Sequence, residues 1–475
     1  MTRTRTRSSL AIPLAAIAAI VALAPLVDSA CADVPAGPNG SLNGGGTSLG
    51  SRPASDAITD GNGHTLKSFV QPTDPGAGAF VITISGESNA LVGYPYPPFD
   101  PSSTWMVDGW NWRIDEFIVV VDHVVLWSDP NKSPSDQSQH GGQVAHASGP
   151  FVVDLHKGGP IQGAGGPGEE ALALTTITNQ NDNGGQAFDP TIQYGFGFST
   201  VQAPGDGSAI NVNLSSDEEA DYQLMVKNGY SVFYSGTATW AGNAQGATGD
   251  FAQCTQTSTG VASTEDAGAD GGDAGGGSDG AYDFTKLPPT MKFALGFSTP
   301  TNYVNCVNYT LSAETNSTIR GVQTSTSQSE LEQITVHMDH PFWESFQEDT
   351  PVHWDQIAAQ YIGVANPVAH TEDMKGVPFS PFTDKLGNVM PWRDCEAAEY
   401  TPPGNGAMSF STLSVPQNPN GVCTGQTPAD FSTANCPAIR DYYDFIRYTQ
   451  STQGHLNSQG LCYIDRQYPA PAGGS

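Results

Sequence analysis

The sequence predicts a mainly β protein with two β-sandwich-like domains, followed by a disulfide-stapled C-terminal region of loops and short helices. The chain of 475 residues contains 54 Gly and 35 Pro, and few long helical patterns interrupt them. Short runs of β-branched and aromatic residues recur between these turn-forming residues, which is typical of strands joined by punctuated loops. A chain of this length can form two or three domains, each with its own core.

The N-terminal segment has the features of an export signal. Three arginines precede an apolar run over residues 10–26, which predicts a signal peptide over residues 1–31. No later stretch reaches the roughly 18 consecutive apolar residues of a membrane span. Small residues before Cys31 resemble the site at which bacterial lipoproteins are cleaved and lipidated, with ordinary cleavage after Ala30 or Ala32 as the alternative. We therefore expect an exported protein of the periplasm, outer membrane or cell surface, with membrane contact only through the lipid.

A first β domain is expected over residues 67–216, after a flexible Gly-, Ser- and Pro-rich tether over residues 32–66. The run that contains Phe80, Ile82 and Ile84 alternates apolar with small residues, as a strand does. Further strands are expected near residues 110–127, 150–155, 171–178, 192–199 and 209–214.

A second β domain is expected over residues 217–345. Strand patterns occur at residues 221–228, 229–242, 291–298 and 331–339, and Pro341 should end the last of them. Residues 259–281 consist almost entirely of Gly, Ala, Asp, Glu, Ser and Thr. Such a segment cannot bury enough apolar surface to fold, so we expect a disordered acidic insertion.

The C-terminal region, residues 346–475, should combine loops with short helices. A helix is expected to start at Thr350, because Trp354, Ile357, Ala358 and Tyr361 follow at helical spacing. A second helix is expected within residues 438–450.

Cysteine usage fits an oxidising compartment. If Cys31 is the lipid anchor, an even set of six remains for disulfides. Cys254 with Cys306 is the favoured pair, because it would close the base of the acidic insertion. The other four, which should staple the C-terminal region, are Cys395, Cys423, Cys436 and Cys462.

The net charge of −30 comes from 48 acidic and 18 basic residues. This surplus argues against binding nucleic acid or anionic lipid through a broad electrostatic surface. It favours partners that are cations.

The sharpest candidate site is the segment His337-Met338-Asp339-His340. On a strand, His337 and Asp339 would share a face, and the turn at Pro341 could bring His340 to them. His353 could approach from the following helix. Histidine and carboxylate are suitable ligands for copper or zinc once cysteines are oxidised, so we expect a divalent metal site.

Two other interpretations of the histidines stay open. His140, His146 and His156 could form a second metal site in the first β region, or the histidines could simply be polar surface residues. The Asp122-His123 and Asp339-His340 pairs could serve acid–base catalysis, but no nucleophile motif accompanies them. The sequence therefore favours a protein that is not an enzyme.

A non-catalytic recognition module is the alternative function. The aromatic residues of a polar segment could stack on a glycan or anchor a protein partner, or they could cap the β core. These residues are Tyr94, Tyr96, Trp105, Trp110 and Trp112.

Several segments resemble a group of uncharacterised exported proteins and lipoproteins of myxobacteria. The resemblance rests on VHMDHPFWESF, VHWDQIAAQYI, QGHLNSQGLC, VVDLHKGG and GYSVFYSGTATW, and it touches most of the chain after the signal. It implies export but no established activity. In that group an EF-hand-like acidic segment often follows the equivalent of WDQIAA. Here the following GVANPVAHTEDMKG lacks the D-x-D-x-D-G pattern, which argues against transferring calcium binding.

Overall fold

Strands dominate the architecture, as the sequence predicts. A computed structural model describes residues 41–42, 49–96, 109–242, 286–342, 354–375 and 442–468. All of them belong to one compact unit, residues 34–475. Within these ranges the helices are few and short, and the mainly β prediction is confirmed.

The smaller sheet has the strand order β17-β16-β14-β3-β8-β7, with β1 also paired to β14. Strand β3 pairs in parallel with β14 and antiparallel with β8, while β14 pairs antiparallel with β16. The bounds of its strands are β1 Ser41–Leu42, β3 Phe80–Ser85, β7 Ile161–Gln162, β8 Glu170–Ile177, β14 Ser329–Val336, β16 Gly454–Leu456 and β17 Gly460–Leu461.

The larger sheet has the order β15-β12-β11-β4-β6-β10-β2, with β5, β9, β13 and β18 branching from it. Its central strand is β4, which pairs with β5, β6, β9 and β11. The bounds are β2 Lys67–Ser68, β4 Trp110–Trp127, β5 Gln143–Ala147, β6 Phe151–Asp154, β9 Gly195–Thr200, β10 Ile210–Asn211, β11 Val232–Trp240, β12 Thr290–Phe297, β13 Thr301–Val304, β15 Val368–His370 and β18 Tyr463–Arg466.

Short helices lie at the ends of these strands. Helix α4 begins one residue after Trp354 and α5 falls inside residues 438–450, close to the predicted positions; Thr350 lies outside the described residues. The helices are α1 Glu87–Val92, α2 Glu219–Asn228, α3 Tyr309–Thr315, α4 Asp355–Ala359 and α5 Tyr442–Gln450. In the part of the chain that is described, no helix has the length and apolar character that crossing a membrane requires.

The main core contains buried side chains from both sheets. Phe80, Ile82 and Ile84 of β3 belong to the same buried cluster as Phe117 of β4 and Tyr234 of β11. The alternating residues of β3 therefore form a strand, as predicted, and one side of that strand gives the core a continuous apolar surface.

The two expected β domains do not appear as separate sheets. Strand β3 lies in the range 67–216 and β14 in 217–345, yet the two pair over six residues. Likewise β4 and β11 pair across the same boundary. Parallel pairing of β3 with β14 needs a long crossover, and the intervening strands form much of the larger sheet.

Part of the expected tether is folded. Leu49, Ile58 and Leu66 are buried, and the last two join a second core cluster with Tyr222 and Met225 of α2. Apolar side chains spaced within a polar stretch are enough to attach it to the surface of the larger sheet.

Residues 221–228 form helix α2, so the predicted strand there is wrong. Ser215 and Glu218 form a capping box immediately before the helix. Gly229, with a φ of 65°, ends it in the left-handed conformation. Tyr222 and Met225 are both buried, as expected of one helical face at a spacing of three.

The favoured Cys254–Cys306 disulfide is also wrong, because Cys306 is bonded to Cys462. The antiparallel register of β13 and β18 pairs Val304 with Tyr463. Sheet pairing thus brings the two cysteines together from distant parts of the chain. Cys31, Cys254, Cys395, Cys423 and Cys436 lie outside the described residues.

Candidate metal centre

The ends of three neighbouring strands bring the site together. In the smaller sheet, Thr335 of β14 is opposite Ser85 of β3 on one side and His455 of β16 on the other. His337 lies two residues beyond Thr335 and Glu87 two beyond Ser85. Since side chains two apart share a face of a strand, the register brings His337, His455 and Glu87 to one place.

His337 and His455 stack directly on each other. Their ring centroids are 4.0 Å apart and their planes differ by 10°. The backbone amide of His337 donates to the carbonyl of Gln453 at 2.8 Å, which continues the antiparallel pairing past the end of β14. Backbone pairing therefore fixes the spacing of these two imidazoles.

His340 reaches the same place because the chain turns after β14. Its ring centroid is 5.7 Å from that of His337, and its residue starts a 3-10 turn over His340–Phe342. The end of α5 holds it there, because Thr449 Oγ1 donates to the His340 carbonyl at 3.0 Å. Strand β14 ends at Val336, three residues before the predicted end at Asp339. The chain then enters the 3-10 turn that contains His340 and Pro341.

One nitrogen of each ring faces a hydrogen-bond acceptor. Nδ1 of His340 is 2.6 Å from the carbonyl oxygen of Thr449, and Nε2 of His455 is 3.0 Å from that of Thr452. Nε2 of His337 lies 3.3 Å from the carbonyl oxygen of Ser458. A carbonyl can only accept, so each of these nitrogens carries a proton, and in a neutral ring the opposite nitrogen carries the lone pair.

The three histidines form the metal-compatible group. One ligating atom from each of His337, His340 and His455 can be chosen so that all lie within 4.8 Å of one another. Metal–nitrogen bonds are about 2.0–2.1 Å, so capture of an ion requires the rings to approach by about 1 Å. Nδ1 of His455 is buried and has no hydrogen-bond partner among the described residues, which is the state expected of a nitrogen available to a metal.

Two carboxylates flank the group. Oε1 of Glu87 lies 3.3 Å from Nε2 of His337, and Oδ1 of Asp339 lies 3.9 Å from Nε2 of His340. Glu87 starts helix α1 with a φ of 62°, a left-handed backbone conformation that is uncommon for a residue other than glycine. A carboxylate behind a ligating histidine fixes its ring and raises its basicity. Glu87 has that position, because it faces the His337 nitrogen that also faces the Ser458 carbonyl, whereas Asp339 lies near the opposite nitrogen of His340 from the one at the Thr449 carbonyl.

Burial keeps two of the rings neutral. Burial, Asp339 and His337 together bring the pKa of His340 to about 4: burial is the largest cause, Asp339 opposes the shift and His337 adds to it. Burial also lowers the pKa of His455 well below its ordinary value, with His337 and His340 adding to the effect. Neutral imidazole is the form that binds metals.

The histidines line a cavity of about 610 Å³. Its described walls are mostly polar and include carboxylates, hydroxyls and amides. Besides the three histidines they are Glu87, Ser88, Asn89, Gly165, Pro167, Glu169, Asp339, Thr452, Ser458, Gln459 and Leu461. The group therefore has buried ligands on one side and a cavity of small-molecule size on the other.

The local motif predicts most of this candidate site but not His455. His337, Asp339 and His340 lie together, whereas the fourth expected residue, His353, is outside the described residues. His455 takes a place that the local motif did not suggest. The only signal for it was the isolated segment QGHLNSQGLC, whose pairing with β14 no local pattern reveals.

The second proposed group does not assemble among the described residues. His140 stacks on Trp127 with centroids 4.1 Å apart, His146 faces Asp182 at 2.8 Å, and His156 faces the Ala90 carbonyl at 2.7 Å. In the described ranges, His337, His340 and His455 make the one group with metal-compatible spacing.

The aromatic residues considered for recognition are mainly part of the core. Trp110, Trp112, Tyr94 and Tyr96 are buried, and Trp105 lies outside the described residues. Trp112 packs against Trp354 with centroids 4.5 Å apart. Rings in this position leave no face for a sugar to stack on.

Comparison with known proteins adds no relative. No protein-family model, curated protein or solved structure matches this chain. Functional inference therefore rests on the site itself.

Proposed function

We propose that the protein binds one divalent transition-metal ion, copper or zinc, through His337, His340 and His455. The observation that carries this proposal is the convergence of three buried histidines, each with one nitrogen held by an acceptor. Fixing the outer nitrogen in this way selects the tautomer and ring orientation that a metal needs.

The donor set supports copper or zinc over harder ions. Imidazole nitrogen suits both metals, whereas calcium and magnesium prefer a shell of oxygens. Calcium needs about six to eight oxygen ligands, and no carboxylate oxygen belongs to the compact group that the three histidines form. Glu87, 3.3 Å from Nε2 of His337, is better suited to orienting that ring.

Export is part of the same proposal. The arginine-rich start and apolar run support a signal peptide, and Cys31 supports lipid attachment. The Cys306–Cys462 disulfide supports residence in an oxidising compartment. Histidine is the expected ligand for copper or zinc in that compartment, since cysteine thiols tend to be oxidised there.

The test is metal binding by a matched pair of single variants. The protein, purified without a histidine tag and stripped with a chelator, is titrated with zinc and with copper, and bound metal is counted by elemental mass spectrometry. His455→Ala should weaken binding by at least about 100-fold, because it removes a ligand rather than an outer-shell contact. His146→Ala should bind like the wild type, because His146 faces only Asp182.

Folding is monitored in the same samples by circular dichroism. Wild-type protein should bind one ion per chain and unfold at a higher temperature with metal, since a ligand at 100 times its Kd stabilises by about 2.7 kcal/mol. If wild type retains less than stoichiometric metal, or if a folded His455→Ala binds as tightly, the proposed site is wrong.

A further inference from the structure

We infer that the metal held by His337, His340 and His455 keeps a coordination position open to the cavity, and that a small hydroxyl-rich molecule without negative charge binds there. This inference rests on the proposed metal site and adds its ligand class.

The number of ligands supports an open position. Three histidines form the compact group, and no oxygen of the two flanking carboxylates belongs to it. Structural zinc sites use four protein ligands, whereas sites that bind an exogenous molecule use three and leave a position for water or substrate. Oε1 of Glu87 instead lies 3.3 Å from Nε2 of His337, the nitrogen that also faces the Ser458 carbonyl.

The cavity gives that position access. It touches all three histidines and has a volume of about 610 Å³, within the range that holds a small molecule. Short segments form its walls, including the start of α1 and the residues after β16. An ion in the group would therefore lie at the wall between the core and the cavity.

The chemistry of the walls selects the ligand. Glu87, Glu169 and Asp339 contribute carboxylates, and no Lys or Arg is among the described lining residues. Glu169 accepts from the backbone amide of Gly165 at 2.7 Å and also from Ser85 and Gln333, so its acceptor role is fixed. A phosphate or carboxylate would meet like charges, whereas hydroxyl groups can donate to these oxygens.

The first experiment asks whether the coordination position is open. Protein loaded with one equivalent of Cu(II), confirmed by elemental analysis, is examined by pulsed electron paramagnetic resonance in H₂O and D₂O. Exchangeable protons of a bound water should appear in H₂O and vanish in D₂O. A copper ion with no exchangeable water in a fully loaded sample would overturn the inference while leaving the metal site intact; failure to load would instead contradict the proposed function.

The second experiment uses two probes of similar size. D-glucose should perturb the copper spectrum saturably, and D-glucuronate, which adds a carboxylate, should bind at least about tenfold more weakly. Equal or tighter binding of glucuronate, or no binding of glucose, would overturn the ligand class.

A cavity variant links the probe to this site. Ser88 is exposed on the cavity wall and is outside the histidine group, so Ser88→Trp should retain copper but weaken glucose binding by at least about tenfold. Thr326→Trp places the same side chain on a surface position outside the cavity and should bind glucose like the wild type. Undiminished glucose binding by copper-loaded Ser88→Trp would contradict binding in the cavity.

Discussion

Two clusters of buried or half-buried ionisable side chains lie in different parts of this fold, and only one has the spacing of a metal-binding site. The histidine cluster, His337, His340 and His455, opens onto a cavity at the end of the smaller sheet. The acidic cluster, Glu116, Asp154, Glu218 and Asp221, lies at the larger sheet and the start of α2.

Both clusters are strongly perturbed by burial, with opposite signs. Burial raises the pKa of Glu116, with Asp221 and Glu218 adding to the shift. It likewise raises the pKa of Asp154, whose main charged neighbour is Glu218. For His340, burial lowers the pKa instead. In each case the low-polarity surroundings favour the neutral form.

The pKa shifts do not distinguish a binding site from a structural cluster, but the spacing of the side chains does. In the acidic cluster, one carboxylate oxygen each of Glu116, Asp154 and Glu218 is buried without a hydrogen-bond partner among the described residues. Yet no three of these acids meet the metal spacing that the histidines meet. Lys157, which pairs with Glu218 and lies 3.9 Å from Asp154, already supplies a cation. A perturbed pKa marks a candidate, and the close spacing of possible ligand atoms beside a cavity makes the histidine cluster the better candidate for a binding site.

The largest effect is expected from removing the Cys306–Cys462 disulfide, which supports the segment that carries His455. Cys306→Ser with Cys462→Ser removes the disulfide that ties the segment after β16 to β13. We expect the free energy of unfolding to fall by about 2–5 kcal/mol, measured by urea denaturation of the chelator-treated protein.

The same double variant should lose metal affinity, because His455 belongs to the segment released. The acidic cluster is formed by residues 116–221 and should retain its contribution to the pH dependence of stability. A variant with wild-type unfolding free energy would contradict the structural role of this disulfide.

An intermediate effect tests the support behind a ligand. Glu87→Gln keeps the size of the side chain but removes the charge 3.3 Å from Nε2 of His337. We expect metal affinity to fall by about 10- to 100-fold, as is typical for loss of an outer-shell carboxylate, measured by competition with a chromophoric chelator.

Asp182→Asn is the matched control for this charge removal. Asp182 contacts His146 at 2.8 Å in a comparable carboxylate–histidine pair, but outside the metal group. It should leave metal affinity unchanged. Equal losses for the two variants would show a general electrostatic effect of this acidic protein rather than support of one ligand.

The local patterns of the sequence predict much of the fold. Alternation in β3 and the long apolar run of β4 predict strands that the structure contains. Helix α2 was mispredicted because Tyr222 and Met225 suit either a strand or a helix, and the capping box at Ser215 and Glu218 decides between them.

Long-range pairing is what the sequence does not reveal. His337 and His340 are close in the chain, so the sequence alone predicts that they lie together. His455 joins them only through the register of β16 with β14. The Cys306–Cys462 bond depends in the same way on the pairing of β13 with β18. Local patterning specifies strands but not which strands become neighbours.

The smallest expected effect is on the pH dependence of stability, to which the two clusters contribute with opposite signs. Because the folded-state pKa of Asp154 is raised, the folded protein binds its proton more tightly than the unfolded chain does. The resulting stabilisation is fully present below the ordinary carboxyl pKa of about 4 and is lost as pH rises through the raised value. The histidines act in the opposite sense. The pKa of His340 is lowered to about 4 in the folded protein, so below about pH 6.5 the unfolded chain takes up a proton that the folded protein does not, and the folded protein becomes less stable as pH falls.

Asp154→Asn removes one of the opposing groups while its side-chain oxygen can still accept from the amides of Phe117 and His156. With chelator present, the variant should become more stable relative to wild type as pH rises from 5 to 8, measured by urea denaturation at both pH values. Asp217→Asn changes an exposed acid in the neighbouring turn and should follow the wild type. Because the histidine contribution is common to all three proteins, it cancels in the comparison; an Asp154→Asn protein with the wild-type pH slope would mean that the acidic cluster does not hold its proton on folding.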